Sequence, residues 1–301
     1  MPIRRPLSSD PAPVARGFGR RALVAALPAA LAAACLPSWA EELTDLPKVK
    51  ASGTLKVAVY KDNAPYSDGP GQDLSGVDVS LARALARELG LQLSLLPFDA
   101  GEKMNDDLRN MVWRGHYLGY GPADVMLHVP VDRYLINQNR QTLIFAPYAR
   151  EVLTVFHALN KLPGLRSGDD LQNLPLGAER GSGAASILMG YRGGLLRDQV
   201  RIYPNGVAAA QAVVRGEVAA AYVTRSQAEA ALFAARADRT GFGLTELGLP
   251  GLADNGWPIG MAVKSEHKAL AQALEAALQR LRDQGELQAI YREHGLTLVT
   301  P

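Results

Sequence analysis

Beyond residue 53 the chain twice sets short apolar runs before amphipathic stretches of about ten residues, and this alternation limits the fold more than any other feature. Residues 54–60 (TLKVAVY) alternate Leu55, Val57 and Val59 with Lys56, Ala58 and Tyr60, which predicts a strand. After a Gly/Pro/Asp loop, Asp78 is placed to cap a helix that carries Leu81, Leu85 and Leu89 and stops at Gly90. Residues 91–96 read as a second strand, and Asn105 or Asp106 opens a helix with Leu108, Met111 and Val112 on one face. Two buried-type runs follow, 124–129 and 152–159. Beyond Pro163 the pattern restarts: a strand at 174–178, a helix entered through Gly181-Ser182-Gly183, a strand at 200–203, a helix from Asn205 to Gly216 and a strand at 218–223. One more strand, 259–263, precedes a long helix through Leu270, Leu274, Leu278 and Leu281, which breaks at Gly285 and resumes with Leu287 and Ile290. The expected class is α/β in two lobes, each a central parallel sheet flanked by helices.

With 48% apolar and 21% charged residues, the 301-residue chain has enough apolar surface to bury for two domains. Its 32 basic and 30 acidic side chains include five arginines and one aspartate in the first forty residues; the remainder carries 27 and 29, a net −2. Such a balanced surface argues against a nucleic-acid partner. Cys35 is the only cysteine, which excludes an intramolecular disulfide and a cysteine-based zinc site.

The sequence RGFGRR (16–21) leads into an apolar run, 22–35, too short to span a bilayer, and Ser38-Trp39-Ala40 supplies small residues at −3 and −1 of a cleavage point. Residues 1–40 therefore read as a signal peptide cleaved near Ala40, and the mature chain as periplasmic. Arg20-Arg21 also suits twin-arginine export, while a lipoprotein site at Cys35 is less favoured because Ala32 stands three residues before it. No other stretch approaches the ~18 apolar residues of a membrane span, so no stable membrane insertion is expected.

The order of motifs resembles the family 3 periplasmic solute-binding proteins. The resemblance rests on GTLKVAVYKDNAPYS (53–67), GVDVSLARALARELG (76–90), FAPYAREVLTVF (145–156), LGAERGSGAASILM (176–189), AAQAVVRGEVAAAYV (209–223), IGMAVKS (259–265) and the closing segment 273–295. It implies a two-lobed, type II binding-protein fold with two hinge strands, near 152–159 and 259–263. The lobes expected from it are 41–157 with 258–301 and, between them, 158–257. A narrower stretch, WRGHYLGYGPADVMLHVPVD (113–132), resembles the J-type accessory proteins of methanol dehydrogenase operons. That likeness implies a monomeric, non-enzymatic protein with no cofactor, metal or catalytic residue of its own. Its implied partners are a PQQ-dependent alcohol dehydrogenase and that enzyme's cytochrome c.

Amino-acid receptors of this family hold the ligand carboxylate with an arginine and helix-start amides, and the ammonium with an aspartate of the second lobe. By resemblance the cleft candidates here are Tyr66, His128, Arg133, Arg180, Gly181, Ser182, Gly183 and Thr224. Arg133 lies two residues closer to Asp124 than that pattern expects, and the run Ala221-Tyr222-Val223-Thr224 contains no acid. Ordinary amino acids are therefore disfavoured, while a small anion near Arg133 stays open. The aromatic group Trp113, His116, Tyr117 and Tyr120 reads either as loop packing or as a platform for a protein partner.

Other features take plainer readings. Gly181-Ser182-Gly183 is a helix-entry turn more than a dinucleotide loop, because no acid ends the next strand. The five histidines show no metal spacing, Ser226 reads as a helix cap, and Asp106-Asp107 and Asp169-Asp170 read as capping or solvated pairs. Two rivals to the accessory role remain: an importer receptor for a small solute that is not an amino acid, and an enzyme such as a dehydratase of cyclic acids. The second needs an acid or base in the cleft, for which His128 and Glu179 are candidates without evident partners.

Overall fold

The alternation in residues 54–60 becomes a division between two cores. In the computed structural model, which describes residues 43–70, 73–249 and 256–301, Thr54–Tyr60 is strand β1. Its Leu55, Val57 and Val59 enter one apolar cluster, while Ala58 and Tyr60 enter another on the opposite face. The signal-peptide reading of residues 1–40, with Cys35 and Ala40, lies outside the described residues.

In chain order the first part runs α1 (Asp45–Ser52), β1, a small hairpin β2 (Asp62–Asn63) and β3 (Ser67–Asp68), α2 (Val77–Glu88), β4 (Gln92–Phe98) and α3 (Met104–Leu108). A π-helical turn, Arg109–Trp113, extends α3 before β5 (Val125–Pro130), α4 (Arg133–Gln138) and β6 (Thr142–Glu151). The second part comprises β7 (Leu153–Ala158), β8 (Leu176–Glu179), α5 (Gly183–Gly190), β9 (Val200–Tyr203), α6 (Gly206–Val214), β10 (Ala220–Thr224), α7 (Arg225–Ala235) and β11 (Phe242–Thr245). The chain then returns through β12 (Trp257–Lys264), α8 (Lys268–Asp283) and α9 (Glu286–Glu293).

Two five-stranded sheets result, ordered β4-β1-β5-β12-β6 and β11-β7-β10-β8-β9. Both are mixed, where the strand–helix alternation predicts parallel sheets. In the first, β12 runs antiparallel to β5 and β6; in the second, β7 runs antiparallel to β10 and β11. These two strands are the ones that arrive directly from the other sheet, which is why they enter reversed. Only Val152 separates β6 of the first sheet from β7 of the second. The chain thus changes sheets at residue 152, earlier than the lobe boundary at 157 that the resemblance implies.

The long helix α8 buries Leu270, Leu274, Leu278 and Leu281 against the first sheet, one face of a 3.6-residue period. Gly285, at φ +71°, makes the joint to α9 in the left-handed region that glycine enters without strain. Beyond α9 the C-terminal tail reaches back to α7: Thr297 N donates to Glu229 Oε2 (2.6 Å), and Arg239 donates to the Gly295 carbonyl (2.9 Å). Arg150 N donates to the Val299 carbonyl at 2.9 Å. The tail thus ties both parts of the chain together beside the crossover. Among the described residues no helix is long and apolar enough to cross a membrane.

Candidate functional site

Between the two sheets lies a cavity of about 310 Å³, lined from the first by Asn63, Tyr66, His128, Glu151 and Trp257, and from the second by Leu153, Glu179, Ser182, Gly183, Ala184, Tyr222, Val223, Thr224 and Gln227. Its walls are made by strand ends and by the starts of α5 and α7, where backbone N–H groups lack helical partners.

Two hydrogen-bonded groups build the first wall. His128 stands near the end of β5 with φ +60°, a left-handed conformation uncommon for a non-glycine residue. The surroundings hold it there: its backbone N–H donates to the Tyr148 hydroxyl (3.0 Å), which donates to Asp78 Oδ1 (2.8 Å). The other oxygen, Asp78 Oδ2, lies 3.0 Å from His128 Nδ1. The ring N–H is not aligned on that oxygen, so the contact is an ion pair more than a directed hydrogen bond. Burial alone pulls the imidazole's pKa down, but the Asp78 carboxylate, helped by Glu151, outweighs it and holds the pKa above the ordinary histidine value. Burial and Asp78 together push the Tyr148 hydroxyl well up.

The second group crosses the cleft. Glu151, the last residue of β6, is 2% exposed, and its Oε1 accepts from the Tyr66 hydroxyl and from Ser226 Oγ (3.1 Å). The two hydroxyls are themselves 2.7 Å apart and hold two protons for three contacts, so two of the three hydrogen bonds are made at any moment. Tyr66 comes from the first lobe and Ser226 from the first turn of α7 in the second. The Tyr66 ring leans on the His128 ring, with centroids 4.3 Å apart at 53°. Burial, then Glu151, pushes the Tyr66 phenol well above its ordinary pKa. Gly256, at φ +68°, lets the chain entering β12 pass against the Glu151 backbone, since a Cβ there would collide with the Glu151 carbonyl oxygen.

Of the residues singled out in the sequence, Tyr66, His128, Ser182, Gly183 and Thr224 line the cavity. Ser182 caps α5 by accepting from Ala185 N (3.1 Å), and Thr224 caps α7 in a reciprocal capping box with Gln227. Arg133 is exposed on α4, Arg180 is exposed beyond β8, and Gly181 forms the turn before α5; none of the three lines the cavity. The described lining residues include no arginine or lysine, so the only cation an anion meets in this cavity is His128 in its protonated form.

Several plain readings need correction. Asp78 caps nothing: Gly76 is the N-cap of α2, and Asp78 is 1% exposed beneath His128. Ser226 is a cross-cleft donor, with Thr224 as the cap. Asp107 is buried, accepting from Tyr60 (3.0 Å) and Gly101 N (2.8 Å), instead of being solvated. His128 and Glu179 do have partners, Asp78 and Gln227. Sequence reasoning missed Asp78, Tyr148 and Glu151. The signal for Asp78 was present, because it shares the 78, 81, 82, 85 face with Leu81, Ala82 and Leu85. Among the described residues no metal-binding cluster of His, Cys, Asp or Glu is formed.

The aromatic group lies elsewhere. The loop after the π turn folds on itself, with His116 N donating to the Tyr120 carbonyl (2.8 Å) and Gly119 N to the His116 carbonyl (2.9 Å). The His116 ring stacks on Tyr120 at 4.3 Å. Trp113 and Tyr120 are half-buried, whereas Tyr117 is 87% and Leu118 67% exposed. None of the four lines the cavity.

No family model and no curated protein matches this sequence. Solved structures do. An ancestral cationic amino-acid solute-binding protein superposes with a TM-score of 0.63 at 19% identity, covering 82% of this chain and 98% of its own. The fold is that of the periplasmic binding proteins. An amino-acid ABC transporter substrate-binding protein from Streptococcus pneumoniae, bound to L-arginine, has a TM-score of 0.56 at 20% identity and covers 84% of this chain and 98% of its own. A histidine kinase sensor domain with similarity to periplasmic binding proteins has a TM-score of 0.54 at 20% identity, with 82% and 98% covered. The binding-protein fold therefore accounts for the two lobes, and the cavity sits between them.

Proposed function

We propose that this chain is an exported, non-enzymatic accessory protein of a PQQ-dependent methanol or related alcohol dehydrogenase, aiding that enzyme's assembly or activation through contacts of its lobes and cleft. The observation that carries this reading is the loop of residues 113–122, whose sequence bears the narrower resemblance. It is braced by its own hydrogen bonds and by the stacking of His116 on Tyr120, and it offers Tyr117 and Leu118 to solvent. A rigid loop that presents an aromatic ring loses little entropy on docking. The cleft supports the reading from the other side. Tyr66, Glu151 and Ser226 join its lobes directly, and among the described residues its wall holds no guanidinium to meet an amino acid's carboxylate.

The test is a Tyr117→Ala/Leu118→Ala variant expressed in a methanol-oxidising host. Active dehydrogenase is expected to fall severalfold while the variant's own level and melting temperature stay unchanged; unaltered dehydrogenase activity would refute the reading. A second reading, a receptor that hands a small solute to an ABC importer, is favoured by the formed cavity of about 310 Å³ with side chains from both lobes in its wall. Uptake of a labelled solute that depends on this chain, with dehydrogenase unaffected by its deletion, would favour the receptor.

A further inference from the structure

We propose that the cavity between the lobes binds a small organic cation that carries no carboxylate, such as an amino alcohol or a quaternary ammonium alcohol. The inference goes beyond the accessory role and does not rest on it.

The charges around the cavity set the class of ligand. Among the described residues Glu151 and Glu179 are the carboxylates in its wall, and no lysine or arginine accompanies them. His128, in the same wall, is matched by Asp78 beneath it and leaves the two glutamates uncompensated. Neither is fully used by the protein. Glu151 receives its two hydroxyl donors on Oε1, and Glu179 receives Gln227 Nε2 on Oε2 at 3.1 Å. One oxygen of each carboxylate meets no donor among the described residues, and a desolvated ammonium is the group that satisfies both charge and hydrogen bond. Tyr222 and Trp257 add aromatic surface to the same wall, which favours a cation, quaternary ammonium included.

The neutral donors set the rest of the molecule. The buried Nδ2 of Asn63 has no acceptor, and Ser182 Oγ satisfies only Ala185 N at the start of α5, leaving the N–H groups of Gly183 and Ala184 for a ligand. These groups suit a hydroxyl or carbonyl oxygen. A carboxylate there would stand a few residues from Glu179 with no guanidinium to offset the repulsion, so α-amino acids are selected against. A cavity of about 310 Å³ has the volume of roughly ten water molecules at about 30 Å³ each, which is room enough for choline or ethanolamine.

The test is calorimetric titration of the full chain with choline, ethanolamine, L-arginine and succinate at low salt. Choline or ethanolamine is expected to bind at one site per chain, with affinity falling as salt is raised. Glu179→Gln is expected to weaken that binding about tenfold or more, at an unchanged melting temperature, and Tyr117→Ala to leave it as in the parent. If Glu179→Gln does not fold, 3,3-dimethyl-1-butanol, the uncharged isostere of choline, is expected not to bind the parent chain, and equal affinity for the two overturns the proposal. Binding of succinate in preference to both cations overturns the proposal, as does the absence of any heat with both cations. Equal affinity of the parent and Glu179→Gln for choline and ethanolamine also overturns it.

Discussion

Replacing Tyr66 by phenylalanine isolates the hydroxyl that joins the lobes. The ring stays, and with it the 4.3 Å contact to His128, so the change reports on the hydrogen bonds alone. The Tyr66 hydroxyl reaches a carboxylate that is 2% exposed, and a hydrogen bond to a buried charge contributes about 1.5–3 kcal/mol. Ser226, at 3.1 Å from the same oxygen, remains and limits the loss, so a destabilisation of about 2 kcal/mol is expected. At roughly 2–4 °C per kcal/mol for a chain of this size, the melting temperature falls by about 4–8 °C. Urea unfolding followed by both tryptophan fluorescence and far-UV circular dichroism measures it, and the two probes are expected to move together. A double-mutant cycle with Ser226→Ala sharpens the case. Because both hydroxyls share Glu151 Oε1, the pair is expected to couple by about 0.5–3 kcal/mol. A loss below about 0.5 kcal/mol in Tyr66→Phe, a value ordinary for surface substitutions, would mean that the cross-cleft bond does not hold the lobes.

Three further outcomes follow from the same geometry. His128 has a raised pKa in the folded state, so its contribution to stability is complete below the ordinary histidine pKa of about 6.5 and is lost as pH rises through the folded value. The stability gap between the parent and His128→Gln, measured by urea midpoints, is therefore expected to shrink with rising pH. The groups that face this ring are Asp78, Glu151, Tyr66 and Tyr148, and only the carboxylates favour its charge. Glu229→Ala strips the partner from Thr297 N and from Arg225 and is expected to cost about 1.5–3 kcal/mol, with faster hydrogen exchange in the C-terminal tail. Gly256→Ala and Gly285→Ala share a positive φ, but a Cβ collides with the Glu151 carbonyl only at Gly256. Gly285→Ala is expected to lose about 1 kcal/mol and Gly256→Ala clearly more, judged by melting temperature.

The sequence disclosed the fold because apolar periodicity is local. The strand at 54–60 and the helix through Leu270, Leu274 and Leu278 are where the spacing puts them. The direction of β7 and β12 was hidden, since nothing in a run such as 152–159 says which way its neighbours point. The site was less legible for the same reason. Glu151 sits in the run FAPYAREVLTVF beside charged Arg150, and only the approach of Tyr66 and Ser226, 85 and 75 residues away, shows it to be buried. Asp78 resembles a helix cap by position, and its true role depends on His128, fifty residues on in strand β5. Resemblance to amino-acid receptors drew attention to Arg133, whose short spacing from Asp124 already departed from that pattern; the structure leaves it outside the cleft.

The reversed strand in each sheet has a consequence for how the molecule is made. The second sheet is drawn wholly from residues 153–245, a single uninterrupted segment, so it has all its strands as soon as that segment is synthesised. The first sheet must wait. Its β5 and β6 are separated by the place that β12 fills, and β12 comes after the entire second lobe. Until residue 264 is available, two strands of the earlier-made lobe present unpaired edges. The late-arriving strand closes that gap from the middle, and the C-terminal helices then cover its apolar face. The lobe that begins first is completed last, and a chain cut short before β12 leaves a finished second lobe attached to an open sheet.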